Sequence, residues 1–398
     1  MASGNMTLES LRNDLPITKE VAYLNTGSHG PATDSVLATV AEEAKIQSHN
    51  YGTPAVSADQ GKREAGARET IAKFINVKSD EIAMAPNTTQ AMRHISRSIG
   101  WSKGDEFVIT SLEHVSTVSM GTALEEDDGV KLTVVEADQG DAEFLEALKS
   151  SLSERSKLLC ISHVASPDGR ILPVAEAAAL AHEKGVPVVV DTAQSLGQFP
   201  VDVPSLGCGF MVASGHKWLL GPTGVGILWV SPDQLPSFKS DPVPVREPWS
   251  MPGSDPSPIT ARHMAEKGTH NSSVVIGTGR AVEIIEEIGI DVIADYTNRL
   301  ASILREGVAQ IDGVNILTPL EPGKSSGITT LTFDGYAPED LQGLVGRIYS
   351  DHNTVVKFQW LTAPMSLDKI GMRISTGAIN SEEEVRGLIA AIKDGTSK

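Results

Sequence analysis

Cysteine is nearly absent from this 398-residue chain, which has only Cys160 and Cys208, each inside or beside an apolar run. Two such thiols exclude a disulfide framework and a cysteine-ligated metal site; they read as small buried strand residues. Basic residues are also in deficit, 33 Lys and Arg against 51 Asp and Glu, for a formal net charge of -18. That balance opposes binding to nucleic acid or adsorption to anionic membranes, and it favours solubility. No uninterrupted run of about 18 apolar residues occurs, so no membrane-spanning helix is expected. Residues 1–20 are polar and lack the apolar centre of a secretory signal, and a soluble cytoplasmic protein is therefore expected. Internal repeats and low-complexity tracts are missing as well.

What is present is a chain with 40% hydrophobic residues, long enough to bury a large core and to divide into two domains. Continuous apolar strands are predicted at 106–110, 130–135, 157–162, 186–190, 210–213 and 226–230. The segments between them have helical character, such as Pro173–Lys184 with Gly185 just past its end. That alternation predicts an α/β fold with a largely parallel sheet covered on both faces. Residues 1–24 read as an N-terminal helix and lead, and a long amphipathic stretch runs on to about Ala72. Thr88 or Thr89 is placed to cap a helix that follows a short strand at Ile82. Residues 231–262, rich in Pro, Ser and Asp, read as an excursion over the surface. The last hundred residues mix strands at 329–333 and 371–375 with helices, and Ser381 with Glu384 forms a capping box. The expected division is an N-terminal segment 1–24, a large domain 25–285 and a small α+β domain 286–398.

The chemistry gathers in two stretches. Val188-Val-Val-Asp191 is an apolar strand ending in an acid, and Phe210-Met-Val-Ala-Ser-Gly-His-Lys217 is another ending in a hydroxyl, an imidazole and a lysine. These are the groups that pyridoxal 5'-phosphate (PLP) chemistry needs. A lysine amine forms the Schiff base, a carboxylate keeps the pyridinium nitrogen protonated, and hydroxyl and N–H donors grip the phosphate.

The ordered run Asp191-Thr-Ala-Gln-Ser-Leu-Gly197, Pro200-Val-Asp-Val203 and Ser214-Gly-His-Lys-Trp-Leu-Leu-Gly-Pro-Thr-Gly-Val-Gly226 resembles the class V branch of PLP fold-type I enzymes. That branch includes cysteine desulfurases, selenocysteine lyases, isopenicillin N epimerase and related carbon–sulfur lyases. The resemblance implies a mainly parallel seven-stranded sheet in a large PLP domain, a small C-terminal domain, and a homodimer with sites at the subunit interface. It implies that Lys217 carries the cofactor and shuttles the Cα proton, that Asp191 pairs with the pyridinium nitrogen, and that Gln194 donates to the phenolic oxygen. Ser214, His216 and the Thr88 and Thr89 loop would hold the phosphate at a helix N-terminus. His114 would stack on the ring, Arg373 would clamp the substrate carboxylate with its fork, and Thr269 would reach the neighbouring subunit's phosphate. Asn25 and His163 would line the substrate side, with His29, Trp360 and the 240–262 excursion as further wall candidates.

One departure shapes the expected reaction. Val355-Val-Lys-Phe-Gln-Trp-Leu-Thr-Ala-Pro364 stands where similar desulfurases carry an arginine–glycine–histidine–cysteine pattern, and neither strand cysteine replaces the missing mobile thiol. The expectation is therefore a PLP-dependent lyase performing β-elimination on a β-substituted amino acid without a persulfide on the enzyme. An aminotransferase or epimerase on the same scaffold is the alternative, and a non-catalytic scaffold of this fold is the alternative of another class.

Overall fold

The computed structural model describes residues 6–50, 52–238, 260–266, 268, 270–361 and 369–396. Thr269 and residues 239–259 of the proline-rich excursion lie outside the described residues.

Eight strands precede residue 231: β1 (Ala22–Tyr23), β2 (Ile82–Ala85), β3 (Glu106–Thr110), β4 (Lys131–Val135), β5 (Ser156–Ser162), β6 (Val188–Asp191), β7 (Phe210–Ser214) and β8 (Gly226–Val230). Strands β2 to β8 form one seven-stranded sheet in the order β2-β8-β7-β6-β5-β3-β4. Pairings from β7 through β6, β5 and β3 to β4 are parallel, and β8 runs antiparallel to both β7 and β2. The side-chain period of two sends successive residues to opposite faces. Leu159 and Ile161 of β5, Val188 and Val190 of β6 and Met211 of β7 join one core. Leu158 and Cys160, Val189, and Phe210 and Val212 join the core on the other face. Both faces are thus apolar, which is why these strands read as continuous hydrophobic runs rather than alternating ones. The expected α/β fold with a mainly parallel seven-stranded sheet is the fold observed.

Five further strands follow or flank this sheet: β9 (Val314–Ile316), β10 (Ile328–Phe333), β11 (Thr354–Val355), β12 (Lys357–Trp360) and β13 (Ile370–Ser375). Four of them form an antiparallel sheet ordered β12-β13-β10-β9. Helices Ile290–Val308, Pro338–His352 and Glu382–Thr396 cover it through Leu300, Leu304, Leu344, Ile348, Leu388 and Ile392. The N-terminal segment is tied to this second core rather than to the first. β1 pairs in parallel with β11, Leu24 is buried among the same side chains, and Ser375 donates its N–H to the Leu24 carbonyl.

Local signals in the chain set several boundaries. The long amphipathic stretch before residue 72 divides into helices Asp34–Asn50 and Pro54–Phe74, because proline fixes φ and lacks an N–H, and so opens a helix rather than continuing one. The helix after β2 spans Thr88–Ser98, and its N-cap is Asn87, whose Oδ1 accepts the Gln90 N–H at 2.9 Å. Neither Thr88 nor Thr89 is the cap. Ser381 and Glu384 exchange the two bonds of a capping box.

Candidate active site

Parallel strands deliver their C-terminal ends to one edge, and the crevice there is where an open α/β sheet places its reactive groups. A cavity of about 430 Å³ lies at this edge. Its walls bring together Asp191 from the end of β6, Ser214 from the end of β7, and His216 and Lys217 from the loop beyond. The neighbouring walls supply Gln194, Thr88, Thr89, His114 and Arg373.

The Lys217 loop is folded tightly. Gly215 donates to Val225 O, Gly221 to Gly215 O, and Gly30 of the N-terminal loop to His216 O at 2.7 Å. A Cβ on Gly30 would sit 2.0 Å from the Lys217 carbonyl oxygen, so only glycine allows this approach. Lys217 opens onto the cavity but is otherwise enclosed by protein. Burial brings its amine down to about 8; the Asp191 charge works in the other direction and Arg373 adds to the lowering. An amine lowered this far is neutral often enough near pH 7–8 to act as a nucleophile.

Ser214 Oγ and His216 Nδ1 are buried without hydrogen-bond partners. Asn87, Thr88 and Thr89 line the same region at the N-terminus of their helix, where the partial positive charge favours an anion. Gly226 permits this packing, because a Cβ there would lie 2.3 Å from the Asn87 carbonyl carbon. A phosphate fits such a cradle of unsatisfied donors. At the opposite end Asp191 is 8% exposed and accepts the Ala193 N–H at 2.8 Å.

His114 caps helix Val115–Asp128, and its Nδ1 accepts from the Ser116 N–H at 3.2 Å and meets Ser116 Oγ at 2.8 Å. One edge of the ring faces solvent, while the cavity wall and the Lys217 charge lower its pKa. The Gln194 amide already donates to Gly27 O at 2.9 Å and to Ser166 Oγ at 3.3 Å, and accepts from Trp218 Nε1. That network fixes the side chain on the cavity wall.

Arg373, 1% exposed, comes from β13. Its Nη1 donates to Ser166 Oγ at 2.8 Å and its Nη2 to Ser28 Oγ at 2.6 Å, while Nε is buried without a partner. Burial lowers the guanidinium to about 10. Among the described residues its partners are all neutral, which leaves its charge for a carboxylate ligand.

Three of the expected wall residues do not line the cavity. His163 is buried with Nδ1 3.1 Å from Ser195 Oγ and its ring edge-on to Phe199, and burial holds it near 4. Alternation along the strand explains this: Ser162 and Val164 face the cavity, so the residue between them faces away. Asn25 bridges to Ser375 behind the wall, and the next turn, Gly27 and Ser28, supplies the lining instead. Trp360 does line the cavity, whereas His29 packs outside it, its ring 5.2 Å from that of His216. Thr269 and nearly all of the 240–262 excursion lie outside the described residues.

Among the lining residues that escaped the sequence reasoning are Glu113, Ser166, Lys357 and Gln359. Glu113 is buried beneath His114, accepting from Thr110 Oγ1, Ser162 N and Ser162 Oγ at 2.7–2.8 Å, and burial raises it to about 7. The adjacency of Glu113 to His114 was visible in the sequence, but its inward orientation was not. Lys357 and Gln359 alternate along β12 and so share a face, a signal that strand periodicity does carry.

The fold and this set of groups define a PLP-dependent enzyme of fold type I, with PLP as its cofactor. The aminotransferase class-V family model matches residues 23–388, and the chain belongs to that family. Its relatives include a cysteine desulfurase of Enterobacter sp. (strain 638), 30% identical over 97% of each chain. A probable cysteine desulfurase of Methanothermobacter thermautotrophicus is 28% identical over 96% of each. The solved apo structure of a cysteine desulfurase from Thermococcus onnurineus NA1 superposes with a TM-score of 0.87 at 27% identity, covering 99% of both chains. These full-length likenesses overturn the expected β-elimination without a persulfide. Lack of the arginine–glycine–histidine–cysteine pattern at 355–364 did not warrant setting desulfurase chemistry aside, because one local segment was weighed above the whole chain.

Proposed function

We propose that the protein is a cysteine desulfurase, which removes the sulfur of a cysteine substrate and leaves alanine. The observation that carries this reading is the convergence of Lys217, Asp191 and the neutrally partnered Arg373 on one cavity, in a chain whose full-length relatives are named for that activity.

PLP, when bound, supplies the electron sink that lets Cα and Cβ of an amino acid exchange protons and leaving groups. Lys217 holds the cofactor and moves the proton at Cα, and Asp191 keeps a proton on the pyridine nitrogen. Ser214, His216, Thr88 and Thr89 would take the phosphate, and His114 would shield the cofactor from the cavity wall. Arg373 takes the α-carboxylate in its fork, which fixes the direction of the Cα–H bond.

The Cβ–S bond breaks as a thiolate attacks the substrate sulfur; that thiolate becomes a persulfide, and Cβ takes a proton to become a methyl group. Cysteine plus a thiol thus gives alanine plus a persulfide, with no external oxidant or reductant. Cys160 and Cys208 are buried, and burial raises both thiols, Cys208 to about 12. The attacking thiol is therefore a separate molecule entering past Val115 and Trp360, which are 68% and 41% exposed. We also infer a soluble homodimer in which Thr269 reaches the partner's phosphate. Among the described residues no helix is long and apolar enough to cross a membrane.

The holoenzyme supplied with L-cysteine and dithiothreitol is expected to release alanine and, through the dithiol, sulfide in equal amounts. Lys217→Ala should lose that turnover by about 10³-fold or more, since the proton at Cα loses its carrier. Pyruvate and ammonia in place of alanine would reject the reading.

A further inference from the structure

Lys357 is the cavity cation that none of the roles above uses. It stands directly opposite Arg373 in the antiparallel β12–β13 pair. Residues so paired project from the same face, with Cβ atoms about 4.5–5.5 Å apart. Like charges in that relation repel one another and destabilise a sheet unless an anion lies between them. Among the described residues no such anion comes from the protein. Arg373 is held by Ser166 and Ser28, and the Lys357 side chain makes no hydrogen bond or ion pair among the described residues. The two carboxyls of the cavity are engaged elsewhere, Glu113 with Thr110 and Ser162, and Asp191 with the Ala193 N–H across from Lys217. Burial, with Arg373 and Lys217 adding to it, lowers the Lys357 ammonium to about 8. It is therefore mostly charged at neutral pH.

Two cations one side chain apart fit a ligand with two anionic groups at similar spacing. Arg373 accounts for one of them, the α-carboxylate. The second must lie on the substrate side chain, one or two bonds beyond Cα. We propose that Lys357 is a specificity-determining residue that holds an anionic sulfur substituent on the substrate's β-carbon, a thiolate or an oxidised sulfur acid. The assignment rests on the desulfurase reading for the identity of the sulfur, but not for the charge it recognises. Gln359, on the same face of β12 and on the cavity wall, offers a neutral amide beside that position.

The test is equilibrium binding to the holoenzyme, measured by calorimetry with L-cysteate, whose β-sulfonate is a fixed anion, against L-alanine, which lacks a β-substituent. Wild type should bind L-cysteate about tenfold or more tighter than L-alanine. Lys357→Met should remove that preference while its affinity for L-alanine changes by no more than about twofold, and Lys357→Arg should retain much of it. An equal loss for both ligands would overturn the proposal by placing Lys357 on the α-carboxylate or in a purely structural role. No loss for either would overturn it too. The arginine variant guards against misfolding of the methionine one, since a charge-bearing replacement that folds and still lacks the preference also refutes the assignment. Product analysis separates the two readings. If L-cysteine yields no alanine while the L-cysteate preference depends on Lys357, only the desulfurase reading fails. If alanine forms and Lys357→Met leaves both affinities unchanged, only the Lys357 assignment fails.

Discussion

Glu113 shows how a single buried side chain ties the cavity to pH. Its carboxyl is 5% exposed and sits among hydroxyl and N–H donors, yet burial outweighs those bonds and raises it from 4.5 to about 7. A carboxyl whose folded pKa lies above its unfolded one adds stability that is complete below pH 4.5 and is lost as pH climbs toward 7. A shift of this size corresponds to about 3 kcal/mol at most. Urea unfolding of the cofactor-free protein should therefore show wild type losing stability between pH 5 and 8, relative to Glu113→Gln, which cannot ionise. Parallel profiles for the two proteins would show that Glu113 stays ionised throughout. The residue was within reach of the sequence, next to His114, but its pKa depends on Ser162 arriving from another strand, a contact of long sequence separation.

Strand ends and helix starts deliver the other groups, and at this scale the sequence was most legible. The apolar runs that end in Asp191 and in Ser214 marked the two strand ends that bear the chemistry, because a parallel strand buried on both faces leaves few other readings. His163 is implied at the cavity by resemblance alone, whereas the strand period of two sends it away from the side that Ser162 faces. Lys357 and Gln359 were passed over for a related reason. The segment's lack of a cysteine says nothing of the face that Lys357 and Gln359 share along β12.

The helix Thr88–Ser98 makes a separate expectation checkable. Its cap is Asn87, and Thr88 and Thr89, one or the other of which the sequence placed as the cap, are its first two residues. Asn87→Ala should cost about 1 kcal/mol of stability, as the loss of a helix cap does. Because the same turn faces the unsatisfied Ser214 and His216, the variant should also weaken PLP binding by several-fold, measured as cofactor release on dialysis. Thr88→Ala should spare the helix, since its side chain is not the cap. A variant Asn87→Ala with wild-type unfolding and cofactor retention would remove Asn87 from both roles.

The whole molecule joins two cores by a crossing of the chain that the sequence did not announce. The N-terminal segment looked like a lead, yet β1 pairs with β11 and Leu24 is buried in the C-terminal core. That route carries Gly27 and Ser28 to the cavity wall and sets Ser28 on Arg373. Arg373 itself comes from the second sheet, and Lys217 from the first, so the cavity depends on the two cores staying in register. Such a pairing between residues more than three hundred positions apart has no local signature, which is why the N-terminal role could not be derived from composition or periodicity.

Assembly is the remaining property of the whole molecule, and its test turns on Thr269. His270, the next residue, is held to Glu64 of helix Pro54–Phe74 at 2.9 Å. If Thr269 serves the partner's phosphate, a subunit with Lys217→Ala and one with Thr269→Asp should each form inactive homodimers. The second is inactive because a carboxylate would then face the phosphate across the interface. After unfolding and refolding together, a mixed dimer holds one site with an intact Lys217 and an intact neighbouring Thr269. Random pairing of equal amounts makes about half the dimers mixed, each with one working site, so activity should return to about a quarter of wild type. Subunits that complete their own sites would give no gain over the mean of the two parents. That result, with a sedimentation profile showing an active monomer, would refute the shared-site dimer.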